Sequence, residues 1–412
     1  MMRWALAAGD FTPLGGMDRA NYALARYLAL SGRDVHLVAH RVWPDLASLR
    51  NITIHHASRP LGSHLMGGPL LALQASATAR RLGPAARLLS NGGNARWRGP
   101  TWIHYLHAAY APDTAEPRAR MTARAGRKRF LASEADAIAR APAVICNSER
   151  TAEDVRCHYN VPAEKIRVVY YGTDAAQFGA ISEDARREAR ASLNNDARCE
   201  ARASLNNDAR CEARASLNND ARREARTSLN NDVCRPLAMF IGALGDRRKG
   251  FDILFDAWQE LCRDASWDAD LAVVGTGAEV ASWQRRAVEQ GLEGRISFLG
   301  FRDDVPRLLA AADVLVHPAR YEAYGLGVHE GLCRGIPAIV SAIAGVAERI
   351  PPELRPLTLP LPLASKDLVD RFRLWRSDDA GWRQRAKAFG AVLRRRSWDD
   401  MAVEVAGIVE QL

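Results

Sequence analysis

The sequence predicts an α/β protein built from two doubly wound parallel-sheet domains in series. Three observations lead there. Short β-rich apolar runs alternate with helical stretches, which implies a parallel sheet with helices on both faces. The alternation stops at a tandem repeat and restarts beyond it. The length of 412 residues supplies two or three domains at about 150 residues each.

In the first half the strand-like runs are Trp4–Ala8, Val35–Ala39, Ile52–His55, Arg87–Ser90, Thr101–Leu106, Ala143–Asn147 and Ile166–Tyr170. Helices fit between them, most clearly over Asp18–Ser31, Leu70–Leu82, Met121–Arg140 and Glu149–His158. The second half repeats the scheme with Leu237–Ile241, Leu271–Val274, Ile296–Leu299, Val314–His317 and Ala338–Ser341. Ligands of such sheets bind outside the carboxyl ends of the strands, so two facing sheets make a cleft.

Between the halves, from Arg187 to Cys234, a twelve-residue unit recurs four times. Each unit carries one Leu and a few Ala, too little apolar surface for stacked units to bury a core. Ten basic and ten acidic residues between Glu183 and Asp232 cancel. The segment reads as an expanded linker, partly helical and exposed, with Cys199 and Cys211 as exposed thiols.

Composition narrows the classes further. Charged residues make up 25% and apolar residues 48%, the balance of a soluble globular protein rather than a disordered one. Seven cysteines with no Cys-x-x-Cys argue against a disulfide framework and against a zinc site, and fit a reducing cytoplasm. Met1–Gly9 reads as a first strand rather than a signal peptide. No window approaches the roughly 18 apolar residues of a membrane span. The net charge of +9 suits phosphorylated ligands, an anionic membrane surface or nucleic acid, and by itself does not choose.

Four segments carry the chemistry. Gly15-Gly16 follows the first strand where a helix begins, a place where backbone N–H groups approach phosphate. Arg247-Arg-Lys-Gly250 puts three cations at a strand's carboxyl end, suited to a diphosphate or to a solvated basic turn. Glu322 and Glu330 are separated by seven residues, with Gly325, Leu326 and Gly327 between them at a loop-to-helix junction. One carboxylate can sit in the loop while the other projects from the helix, with free N–H groups between them. Trp102-Ile-His-Tyr-Leu-His107 supplies two histidines near the end of a strand.

Glu322 and Glu330 with Gly325, Gly335 and Pro337 resemble the Glu-x7-Glu signature of retaining family 4 (group 1) glycosyltransferases, which have the GT-B fold. Gly15-Gly16, Asn147-Ser148-Glu149, Gly172-Thr-Asp174, Lys249-Gly250, Val274-Gly-Thr-Gly277, Phe298-Leu-Gly-Phe301 and Ala344-Gly-Val-Ala-Glu348 agree in order. The resemblance covers the chain outside the extra repeat copies. It implies two Rossmann-like domains facing a central cleft: residues 1–178 on the acceptor side, the linker 179–234, a nucleotide-sugar-binding domain over 235–396, and a terminal helix over 397–412 crossing back.

The resemblance also implies roles. Glu330 would bond the donor ribose and Glu322 would face the sugar. Lys249 would stabilise the leaving diphosphate, helped by Gly325–Gly327 N–H groups and Gly16, and the turn ending at Phe301 would receive the base. His107 would lie near the transferred sugar, with His104 the second choice. One departure stands out. Where the family commonly has Arg after the first C-domain strand, this chain has Ala243, so Arg247 or Arg248 is expected to supply the charge.

Asp268-Ala-Asp270 imitates a metal motif of another glycosyltransferase fold. It precedes a strand, away from the ligand edge, and is read as a turn, so no metal or other cofactor is expected. The basic stretch Arg118–Arg129 reads as a solvated face or as a contact with anionic lipid or an acidic acceptor. It lacks the aromatic interleaving of a nucleic-acid surface. The expected function is retaining transfer of a sugar from a nucleotide diphosphate donor to an acceptor hydroxyl, in the cytoplasm or at the inner membrane face. A GT-B sugar-nucleotide epimerase and a catalytically silent binding protein are the alternatives.

Overall fold

The computed structural model describes residues 2–111, 113, 117–193 and 235–412, with the side chains of 117–125 left aside. The first sheet has seven parallel strands: β1 (Arg3–Ala7), β2 (Asp34–Ala39), β3 (Ile52–His56), β4 (Arg87–Asn91), β5 (Thr101–Ile103), β6 (Val144–Cys146) and β7 (Ile166–Val168), in the order β3-β2-β1-β4-β5-β6-β7. The second has six: β8 (Leu237–Ile241), β9 (Asp270–Val274), β10 (Ile296–Phe298), β11 (Val314–His317), β12 (Ala338–Ser341) and β13 (Thr358–Leu359), in the order β10-β9-β8-β11-β12-β13. Both orders reverse beside the first strand, and that reversal opens a ligand crevice at the carboxyl edge. Trp4, Ala5 and Leu6 of β1, and Ala238, Met239 and Phe240 of β8, are all buried, because helices cover both faces.

The two halves meet along packed elements. α1 (Gly16–Leu30) buries Ala20, Leu24 and Leu28 against Met401, Val405 and Val409 of the terminal helix Trp398–Glu410. That helix starts on a capping box, Ser397 with Asp400. The chain reaches it through a tight crossing, where Thr173 N–H donates to the Arg396 carbonyl (2.9 Å) and Arg396 Nε donates to the Tyr170 carbonyl (3.0 Å). A Cβ on Gly172 would lie 2.1 Å from the Ser397 oxygen, so the crossing requires glycine there.

The connecting segment corrects one expectation. Helix 183–193 is not an exposed linker: Ala189 and Leu193 are buried in the second core. Arg186, Arg190 and Arg383 converge on the carboxylate of Asp313, which also accepts from Leu237 N–H at 2.7 Å. The start of the first repeat unit therefore folds as part of the second domain, its Arg190 held on a buried anion that Arg186 and Arg383 share. The remaining copies, with Cys199 and Cys211, lie outside the described residues.

Candidate active site

The site forms where β11 ends in His317 and the chain turns towards α2 (Leu326–Cys333). Gly325 precedes that helix at φ 98, a left-handed conformation that favours glycine. A Cβ there would press on Val346 at 3.1 Å and on Glu322 Cγ at 3.4 Å. Glycine thus lets Glu322 fold back against the helix start, where its carboxylate accepts from Lys249 Nζ and from His317 Nε2 at 3.0 Å. Burial pushes the Glu322 carboxyl up, but Lys249, the His317 bond and Arg248 outweigh it and hold the group well below the usual carboxylate range. Burial likewise lowers His317, so a neutral ring donates through Nε2–H to an ionised carboxylate.

Lys249 is placed by a short turn over Arg247–Lys249, capped by the Asp246 side chain accepting from Arg248 N–H at 2.9 Å. Gly250 closes the turn at φ 71, and a Cβ would lie 1.8 Å from the Pro318 carbonyl oxygen. The two arginines diverge. Arg248 lies over the Tyr105 ring at 5.7 Å and reaches the Tyr321 carbonyl at 3.5 Å, close to Glu322. Arg247 turns to Asp113, with 3.9 Å between its guanidinium and that carboxylate. Of the two arginines, Arg248 is therefore the one whose charge bears on Glu322.

Glu330 projects from α2 and is 6% exposed. Its carboxylate pairs with Arg19 of α1, an ion pair between the two halves. Burial pushes the Glu330 carboxyl up to about 7, against the pull of Arg19. Gly16 faces the same helix start: a Cβ on it would sit 3.6 Å from Leu326 Cβ, while one on Gly327 would meet nothing within 4 Å. The Gly-Gly turn, Leu326 and Gly327 thus frame open space between the halves. Phe301 lies outside this cluster, 73% exposed on its turn.

The two histidines separate by environment. His107 Nδ1 lies 3.0 Å from Glu134 Oε2, and its ring stacks on Phe130 and meets Tyr105 edge-on. Tyr105 in turn packs edge-on against Tyr321 and beneath Arg248, which brings His107 to the rim of the charged cluster. His104 is buried, bonded through Nδ1 to Tyr171 Oη at 2.5 Å, and burial lowers it to about 3, so it is a neutral core residue. Asp268 is held by Arg376 at 2.7 Å and Asp270 by Arg295 at 3.1 Å, both as structural ion pairs. Among the described residues no group of three or more His, Cys, Asp and Glu is arranged to hold a metal ion.

Sequence reasoning missed Arg19, although it follows Gly15-Gly16 within about one helical turn. It also left Asn147-Ser148-Glu149 and Glu348 without roles. Ser148 Oγ donates to the Ala323 carbonyl at 2.7 Å, and the Glu149 and Arg150 N–H groups donate to the Glu348 carboxylate at 2.8 and 3.1 Å. A carboxylate from one half thus sits on a helix N-terminus of the other.

A model for glycosyltransferase family 4 matches residues 14–177, and a model for glycosyl transferases group 1 matches residues 235–366. The chain belongs to the family 4, group 1 glycosyltransferases, with the GT-B fold. It is 34% identical over 103 residues to the lipopolysaccharide glucosyltransferase WaaG of Escherichia coli K12, covering 25% of this chain and 27% of that one. It is 41% identical over 105 residues to a GDP-mannose-dependent phosphatidylinositol dimannoside mannosyltransferase of Mycobacterium tuberculosis, covering 25% and 26%. The chain thus spans about a quarter of the length of these relatives. Across whole chains the fold matches the crystal structure of WaaG (TM-score 0.70, 17% identity, 98% and 99% covered). It also matches Anabaena HepE in complex with UDP-glucose (TM-score 0.65, 17% identity, all of both chains).

Proposed function

We propose that the protein transfers a sugar, with retention, from a nucleotide diphosphate donor to an acceptor hydroxyl in glycan, glycolipid or polysaccharide synthesis. The observation that carries this reading is the convergence of Lys249, Arg248, His317 and Glu322 at one strand end, with Glu330 one helix away across the Gly325–Gly327 junction. Two similar proteins support it: a relative named as a glucosyltransferase and a fold neighbour crystallised with UDP-glucose.

Lys249 and Arg248 face the leaving diphosphate, and the start of α2 turns its free N–H groups to the same charge. Glu330 takes ribose hydroxyls, Phe301 offers a ring to the base, and His107 sits on the sugar side. The glycosidic C–O bond breaks towards the diphosphate, and the acceptor oxygen arrives on the same face. A diphosphate oxygen takes the acceptor proton, so no protein nucleophile is required. Cationic side chains supply the charge stabilisation, and turnover is expected to survive chelation of divalent metals.

Among the described residues no helix is long and apolar enough to cross a membrane. We place the enzyme in the cytoplasm at the inner membrane face, in contact through the basic stretch 118–129. Its described part includes exposed Lys128 and Arg129. Gly126 packs towards Leu65, on a neighbouring helix that exposes Met66, Leu70 and Leu73. Sedimentation with anionic, but not zwitterionic, vesicles tests the contact. For the transfer itself, a screen of nucleotide sugars is followed by Glu330→Ala and Lys249→Ala. Both are expected to lose most transfer while keeping the fold, and wild-type turnover in both would overturn the assignment.

A further inference from the structure

His329 is a buried titratable group to which the transfer chemistry above gives no part. It lies within α2, one position before Glu330, and is fully buried. Its backbone N–H donates to the Gly325 carbonyl at 3.0 Å, and its ring bonds outward from both nitrogens. Nε2 lies 2.6 Å from Thr173 Oγ1, and Nδ1 lies 3.0 Å from Tyr324 Oη. Both partners sit at junctions of the molecule. Thr173 belongs to the crossing, where its N–H meets the Arg396 carbonyl and Gly172 lies against Ser397. Tyr324 comes from the second half yet is buried in the core of the first, edge-on to Tyr171 at 4.8 Å.

The hydrogen bonds run in one direction. Arg349 has only donors to offer, so the Tyr324 oxygen accepts from it at 3.1 Å. The Tyr324 hydroxyl proton then points to His329 Nδ1, and a neutral ring that accepts there carries its own proton on Nε2. That proton goes to Thr173 Oγ1, whose hydroxyl is left facing Cys333 Sγ at 3.3 Å. Burial, followed by the charge of Arg349, lowers His329 to about 3, which keeps the ring neutral and the direction fixed.

We propose that His329 is a positioning residue for donor binding: by joining Thr173 to Tyr324 it fixes α2, and with it Glu330 and the Gly325–Gly327 N–H groups, against the crossing between the two halves. This role rests on the transferase reading above, because it acts through the carboxylate assigned to the ribose. A fully satisfied buried polar chain holds its members in one arrangement, whereas apolar contacts tolerate sliding. Here the members are the loop that carries Glu322 and Tyr324, the helix that carries Glu330, and the segment that joins the halves. Leucine in place of the ring fills much of its volume but strands two buried hydroxyls, and the helix start is then free to shift. Glu330 would meet ribose hydroxyls from a displaced position.

Calorimetry on the full chain, with UDP, GDP and ADP as probes, tests the role. His329→Leu is expected to weaken the best-bound nucleotide about tenfold, and Tyr324→Phe and Thr173→Val, which each delete one hydroxyl at nearly constant volume, about threefold. Tyr324→Phe added to His329→Leu is expected to weaken it no further, since both break the same chain. If His329→Leu fails to fold, the two hydroxyl deletions carry the comparison. Nitrogen NMR of the wild-type ring should show His329 as the Nε2–H tautomer throughout the neutral range. Wild-type nucleotide affinity in the folded variants, whatever their melting temperatures, would leave His329 a purely structural residue and overturn the role, as would an Nδ1–H tautomer. Binding of none of the three nucleotides to the wild type would instead defeat the transferase reading on which the role rests.

Discussion

Arg19, near the start of α1, and Glu330, within α2, form a direct ion pair across 311 positions of sequence. The pair ties the first half to the carboxylate assigned to the donor ribose. Arg19 bonds a carboxylate oxygen that, on the proposed reading, ribose hydroxyls would also use. The two compete for one carboxylate, or share it.

This pair sets a pH dependence. Burial raises the Glu330 carboxyl to about 7, and Arg19 opposes that rise. Donor affinity is expected to fall as pH drops through that value, because a protonated carboxyl gives up an acceptor site. Arg19→Gln removes an influence that lowers the pKa, so the midpoint moves upward, and Arg19→Lys restores it. Calorimetric titration of donor across the neutral range checks the direction.

Lys249 and Glu322 are each mostly buried, at 16% and 14% side-chain exposure. Lys249→Ala should lower turnover about 100- to 1000-fold by removing a charge aimed at the leaving group. It should also cost about 3 kcal/mol of stability, because Glu322 is left buried without its cation. The double variant Lys249→Ala/Glu322→Gln should recover part of that stability and none of the activity. Chemical denaturation of the four proteins, read as a double-mutant cycle, measures the coupling.

The two histidines should respond in opposite ways. His104→Ala opens a cavity beside Trp102 and Tyr171 and is expected to cost about 3 kcal/mol. His107, with its side chain 41% exposed, should tolerate alanine in stability while losing transfer. Melting temperature measured beside turnover separates the two roles, and a fully active His107→Ala would remove that residue from the site.

Gly172 is expected to reject any side chain. Alanine there would meet the Ser397 carbonyl at 2.1 Å, and moving that strand apart loosens the terminal helix from α1. A loss of about 3 kcal/mol is expected, in the range of overpacked sites. Proteolysis near residue 396 should accelerate in the variant.

Trimming the repeats should leave activity intact. Arg190 donates to the Arg235 carbonyl at 2.8 Å, so the ends flanking 194–234 are adjacent and a short connection can join them. Deleting Cys199–Cys234 shortens the loop by roughly three doublings, worth up to about 2 kcal/mol in favour of folding. A folded but inactive trimmed protein would assign the repeats a task beyond connection.

Much of the fold was readable in the chain because local patterns encode it. Runs such as Leu237–Ile241 and Val314–His317 are apolar throughout, as strands covered on both faces must be, and they appear where expected. Glu322, Glu330 and Lys249 stood out as candidates around Gly325 and Gly250, and folding brings Lys249 against Glu322. Helix 183–193 was misjudged, because its burial depends on Asp313, more than a hundred positions away.

Local sequence thus specified the two wound sheets, the glycine turns and the residue types at the cleft. Which cation meets which carboxylate was set by folding. Arg248 rather than Arg247 stands near Glu322, Arg19 reaches Glu330, and Glu348 lands on the Glu149 helix start. The last two pairs join separate halves and so depend on how the sheets dock, while Arg248 meets Glu322 from another loop of the same half, more than seventy positions away; no short-range periodicity carries that information.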